Sequence, residues 1–315
     1  MPFRLKPFLT VLLATWLIIG CQNNIIRQST NSQLADCHTV KHIMGDVCVP
    51  PMSQRLVTLD EPTIGDVLTL GVQPIGTSLY DELADYLVKK SSNIEFLGDS
   101  DAPNLEKIYQ LQPDLIVGIE FVVEPIFQQL SQIAPTAVGR WIGLPSWREH
   151  FNFVAHVLGK EEKAKAIWDS YNRRIEKLKA AMGDLQDLEI SLAYTYDGEK
   201  ITMDAENSFA GSILADLGLR QTKSQSKVNN GIIPLSEERI SDIDADILFI
   251  GVFKEESEKI LAKLQLKPLW NQLQVVQNKR VYLVDVSIWR GGNPMAANLV
   301  IDDLNKYLLD SNSNL

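Results

Sequence analysis

Histidine and cysteine are scarce in this 315-residue chain, four of the first and three of the second. His38 and His42 fall in a short N-terminal hairpin, and His150 and His156 flank the segment 161–182. None sits at the end of an expected lobe strand, so a dedicated Zn²⁺ or Mn²⁺ site is not expected. The chain also lacks a G-x-S-x-G nucleophile elbow, an HExxH helix and a P-loop, which argues against hydrolysis and against self-powered transport. Basic residues do not gather on one face, and the formal net charge is −10, so nucleic acid is excluded as a partner. No apolar run is long enough for a comfortable transmembrane helix.

The longest apolar run comes at the start. MPFRLKPFLTVLLATWLIIGC has a basic front (Arg4, Lys6), an apolar stretch from Phe8 to Ile19, and then Gly20-Cys21. This is the grammar of a secretory signal over residues 1–20. Its ending, LIIGC, resembles the bacterial lipobox, which would make Cys21 the acylated first residue; the alternative is an uncleaved anchor. Removing the signal leaves 28 basic against 40 acidic residues, a net of −12. Residues 21–36 are polar and patternless, a tether. Cys37 and Cys48, an even pair behind an export signal, suggest a disulfide across two short strands turning at Met44-Gly45-Asp46; two free thiols are the alternative.

What the chain does have is an internal echo. EKIYQLQPDLIV (Glu106 to Val117) returns 132 positions later as ERISDIDADILF (Glu238 to Phe249). Each reads as a short helix, N-capped by Asn104 or Ser236, a Pro-Asp or Ala-Asp turn, and a buried strand. A second echo, VLTLG at Gly71 and LADLG at Gly218, marks two helix ends. Strands alternating with helices on either side imply two α/β, Rossmann-like lobes with mainly parallel sheets. Between them, Glu161 to Met182 contains no Gly or Pro and repeats apolar residues at Ala164, Trp168, Tyr171, Ile175, Leu178 and Met182. That spacing predicts one helix with a single apolar stripe, about 33 Å long, acting as a stiff spacer. The expected organisation is an N-terminal lobe with its opening hairpin over 37–145, an interlobe helix region over 146–184, and a C-terminal lobe over 185–315.

The runs RLVTLDEPTIGDVLTLGVQPIGTS, PNLEKIYQLQPDLIV, LSEERISDIDADILFIG and VYLVDVSIWRGGNP resemble the periplasmic iron-siderophore-binding proteins of ABC importers. In that family, which includes ferrichrome-, ferric-citrate- and cobalamin-binding proteins, one rigid helix joins two lobes. The resemblance spans roughly residues 38 to 309. It implies a lipid-anchored, monomeric receptor on the periplasmic or extracellular face of the cell membrane. Its partners would be a ferric siderophore and an ABC permease of the inner membrane. It implies no enzyme activity and no resident cofactor, with iron arriving only as a chelate. Cobalamin or haem is the alternative cargo, and an exported lipid-anchored hydrolase is the rival from another class, since such folds also host catalysis. The resemblance further assigns Glu106 and Glu238 to permease docking, with Glu237 a competitor for the second position, and matches Trp289 to a binding-site tryptophan.

Ligand contacts are expected in loops at the C-terminal ends of the strands. Arg140, Trp141 and Trp147 follow the strand ending at Val138, and Trp289 and Arg290 follow the strand ending at Asp285. Arg offers a fixed fork of donors for oxygen ligands, and Trp a flat apolar wall. Tyr80, Glu61, Tyr196 and Phe253 are further candidates, whereas Trp168 and Trp270 read as packing.

Overall fold

The apolar runs that end the two repeat copies become strands, Leu115–Ile119 and Ile247–Val252, whose residues are buried on both faces, because helices cover both sides of the sheets. A computed structural model describes residues 37–80 and 82–310. The signal, the 21–36 tether and Cys21 lie outside the described residues, as does Asp81. The chain opens with an antiparallel hairpin, β1 (His38–His42) and β2 (Gly45–Val49), closed by the Cys37–Cys48 disulfide with Cα atoms 5.5 Å apart.

The first sheet contains β3 (Leu56–Thr58), β4 (Gly76–Thr77), β5 (Glu95–Phe96), β6 (Leu115–Ile119) and β7 (Thr136–Gly139). All five are parallel, in the order β5-β4-β3-β6-β7. The second contains β8 (Glu189–Tyr194), β9 (Ile201–Asp204), β10 (Arg220–Gln221), β11 (Ile232–Leu235), β12 (Ile247–Val252) and β13 (Val281–Asp285). Its order is β11-β9-β8-β12-β13, with β10 also on β8. Here β9 and β11 run antiparallel, so the second sheet is mixed while the first is wholly parallel.

The two repeat copies occupy equivalent places. Strand β6 lies between β3 and β7, as β12 lies between β8 and β13. The repeated aspartate explains part of the echo. Asp114 accepts hydrogen bonds from the Gln54 and Arg55 amides at 2.8 and 3.1 Å, and Asp246 from the Glu189 amide at 2.8 Å. Each carboxylate thus ties the start of its lobe's first strand to the repeat. Asn104 caps its helix by accepting from the Lys107 amide, whereas the second copy, Glu237–Ile243, is a 3₁₀ helix. Gly71 and Gly218 share φ near +75° and +80°, the left-handed conformation that ends a helix and favours glycine.

Two first-lobe helices are irregular. The helical stretch from Glu120 to Ile133 passes through a 3₁₀ turn, Glu124–Ile126, where Pro125 removes a backbone donor. A single turn of helix, Asp85–Val88, precedes β5.

The spine helix spans Glu161–Met182, as the periodicity requires. Ala164, Tyr171, Ile175, Leu178 and Met182 are buried along one side, with Trp168 half-buried among them. A further helix, Trp147–Val157, precedes it and packs on it; the sequence had merged this helix into the interlobe region. The spine is not the lobes' only connection. The C-terminal helix, Pro294–Asn305, packs against the spine and also against the first-lobe helix Glu61–Thr69. Asn293 caps that C-terminal helix and donates to the Tyr86 hydroxyl at 2.9 Å. A Cβ on Gly65 would lie 2.4 Å from Asn293 Nδ2, so only glycine permits this approach.

Because the spine's stripe holds both lobes, Ile175→Ala should cost about 2–5 kcal/mol in chemical denaturation. Exposed Glu176→Ala should stay within about 0.5 kcal/mol. Equal effects would show that the stripe bears no special share of the stability.

Candidate functional site

The C-terminal ends of seven strands, four from one sheet and three from the other, converge on one cavity of about 660 Å³. From the first lobe come Glu61 after β3, Tyr80 after β4, Ile119 and Phe121 at β6, and Trp141 after β7. The second lobe contributes Tyr196 after β8, Phe253 after β12, and Ser287 and Arg290 after β13. A crevice beyond the carboxyl ends of the strands is the ordinary ligand position in such sheets.

Local bonds fix several of these side chains. The Tyr80 amide donates to Glu61, and its hydroxyl donates to Asp101 at 2.8 Å. Burial, and then Asp101, raises the Tyr80 pKa, so the phenol stays protonated. Tyr196 and Phe253 stack with ring centroids 5.5 Å apart. Trp141, 8% exposed, sets its ring edge-to-face against His150 at 5.3 Å, and Gly292 of the other lobe lies beside it.

Arg290 is held by four bonds. Its guanidinium lies 3.9 Å over the Tyr194 ring and donates to Asp204 at 2.6 and 3.2 Å, to Thr202 at 3.0 Å and to Tyr196 at 3.1 Å. Asp204 is fully buried, and burial pushes its carboxyl up against the opposing pull of Arg290. Removing one partner of such a pair strands a buried charge, so it is a rigid part of the wall.

Under the first-lobe floor lies a buried acid cluster. Asp60 caps the helix Glu61–Thr69 by accepting from the Thr63 amide at 2.8 Å, and it accepts from the Ile119 amide at 2.9 Å. Burial raises it to about 6 against those bonds. Asp66 and His150 meet at 2.8 Å. Burial pushes Asp66 well up and His150 down to about 3, so the pair shares one proton and carries no net charge. Among the described residues, no group of three or more His, Cys, Asp or Glu is placed to hold a metal ion.

Six sequence candidates therefore meet in the cleft: Glu61, Tyr80, Trp141, Tyr196, Phe253 and Arg290. Three others lie elsewhere. Trp147 is 1% exposed; its ring packs on Phe209 and Trp168, and its Nε1 donates to Ser212 at 3.0 Å. It is an interlobe pin rather than a wall. Trp289 is fully buried, stacks on Phe249 at 4.7 Å and donates to Asp303 at 2.8 Å. Arg140 is exposed and lines a different hollow with Lys41, His42 and Glu149. The sequence reading missed Phe121, Glu82 and Tyr86. Phe121 was within reach, since it lies 132 positions before Phe253, the offset of the repeat.

Two α/β lobes with parallel-strand ends facing one preformed cleft, joined by a helix, define a bilobal solute-binding protein. The chain belongs to the periplasmic binding protein family, whose profile matches residues 56–287. It is 30% identical to the probable siderophore-binding lipoprotein YfiY of Bacillus subtilis, over 95% of this chain and 96% of that protein. It is also 30% identical to the Fe(3+)-citrate-binding protein YfmC of the same organism, over 91% of each. Among solved structures, Staphylococcus aureus SirA complexed with staphyloferrin B matches with a TM-score of 0.74 at 28% identity, covering 86% of this chain and 98% of SirA.

The Asp60 carboxyl gives a signed pH effect. A folded pKa of about 6 against the ordinary carboxyl value of 3.8 contributes stability that is full below pH 4 and lost as pH rises through 6. The loss is about 3 kcal/mol at 1.36 kcal/mol per unit. Asp60→Asn should remove a decline of that size from the pH 4–7 stability curve, measured by urea denaturation. Parallel curves for the two proteins would refute the raised pKa.

Proposed function

We propose that the chain is a lipid-anchored extracytoplasmic binding protein that captures a ferric siderophore and delivers it to an ABC permease. The aromatic cleft carries this reading: Tyr80, Phe121, Trp141, Tyr196 and Phe253 converge from both lobes on a volume suited to a chelate. The siderophore- and ferric-citrate-binding relatives support chelated ferric iron as the cargo, in place of cobalamin or haem. Capture requires positioning and desolvation only, so no covalent step is assigned. The lipid on Cys21 and a monomeric state belong to the same proposal.

Glu106 and Glu238 are assigned to permease docking. Both are exposed in the first turn of the repeated segment. Asn104 N donates to Leu97 O just past the end of β5, and Ser236 follows β11, which pairs with the start of β9. Each glutamate thus stands toward the cleft edge of its lobe. Glu237 approaches Lys267 at 3.8 Å, which favours Glu238 as the docking carboxylate.

Tryptophan fluorescence should quench on titration with a ferric siderophore, and Trp141→Ala should weaken binding by about tenfold or more. Absence of quenching and of any thermal shift with every ferric chelate would remove the reading. Charge reversal at both Glu106 and Glu238 should leave cargo affinity within about twofold and abolish iron uptake through the permease. Undiminished uptake by that variant would reject the docking assignment.

A further inference from the structure

The charge of the cleft selects among cargoes. Glu61 and Glu82 line it, and an adjoining cavity of about 310 Å³, which shares Glu82, Phe253 and Ser287 with it, adds Asp85, Glu255 and Asp285. Arg290 is the one cationic side chain lining either cavity among the described residues, and Asp204 already balances it. A cleft built for a multiply charged anion would present unpaired Arg or Lys to it; this one presents carboxylates. The walls agree independently. Tyr80, Phe121, Trp141, Tyr196 and Phe253 line the cavity, and aromatic rings carry the electron density that attracts a cation.

We infer that the cargo is a neutral or cationic ferric complex of the hydroxamate class, not a polyanionic catecholate or citrate complex. Three hydroxamates cancel the charge of ferric iron, and a pendant ammonium leaves a net positive complex. A tris-catecholate keeps a threefold negative charge and would enter against the field of the carboxylates. Juxtaposed like charges suppress wrong partners and slow their encounter. The role of Arg290 then becomes structural: it holds Tyr196 against Phe253 and presents little free charge to the ligand. This inference rests on the binding function proposed above.

The test titrates the full mature chain with three probes: ferrioxamine B (cationic), a ferrichrome-type chelate (neutral) and a hexadentate ferric tris-catecholate (anionic). At low ionic strength, the better of the first two should bind at least about tenfold tighter than the third. High salt should narrow the preference for ferrioxamine B over the anion, because the Debye length falls to about 3 Å at 1 M. Glu82 is exposed, so replacing it spares the fold. Glu82→Gln should weaken ferrioxamine B by about three- to sixfold and leave the tris-catecholate no weaker. A tris-catecholate that binds as tightly as the others, or a ratio untouched by Glu82→Gln, overturns the inference while leaving siderophore capture intact. Failure of all three probes, and of ferric citrate, overturns capture itself.

Discussion

Asn293 sits where the two lobes touch behind the cleft, fully buried, capping the C-terminal helix and bonding Tyr86 across the gap. Gly65 admits it by lacking a Cβ, and Trp141 packs beside Gly292 on the adjacent turn. A second set of cross-lobe contacts runs through Trp147 to Ser212, and through Arg148 and Tyr171 to Asp216 at 2.7 and 2.6 Å. Together with the spine helix they hold the lobes at three places. An interface so constrained leaves little freedom for hinge closure, and the cleft is formed before cargo arrives. Preorganisation of this kind reduces the ordering cost of binding.

The site's chemistry follows from that rigidity. Aromatic side chains with few rotatable bonds line the walls, and Arg290 is locked between the Tyr194 ring and Asp204. Beneath the first-lobe surface, Asp60 satisfies the Thr63 amide in its own strand-to-helix turn and the Ile119 amide at the end of the neighbouring strand β6, at the expense of burying a carboxyl. The Asp66–His150 pair avoids that difficulty by staying neutral as a unit and supports the ring of Trp141. The polar groups under the cleft therefore position the surface that faces the ligand.

Much of this was legible in the sequence because it is local or periodic. The spine helix is visible as a 22-residue stretch with one stripe, and the lobes as two copies of one helix-to-strand unit. Glycines at matching helix ends were likewise readable, since their φ angles are set by the local turn. The failures are tertiary. An Arg-Trp pair after a strand reads alike whether the ring faces the cleft or the core; at Trp289 it faces Phe249, and at Trp141 it faces the cavity. The partner that occupies Arg290 is 86 residues away, beyond any pattern in the chain. The antiparallel β9 and β11 were hidden for a similar reason, because strand direction is decided by connections rather than by composition.

The account depends on lobes that are held apart at a fixed distance. Spin labels at exposed Tyr109 in the first lobe and exposed Leu266 in the second would measure that distance by pulsed electron resonance. A narrow distribution that moves by less than about 2 Å when a ferric siderophore is added is the expected result. A broad distribution without ligand, or a much larger displacement with it, would mean that the lobes hinge and that the cleft is not preformed.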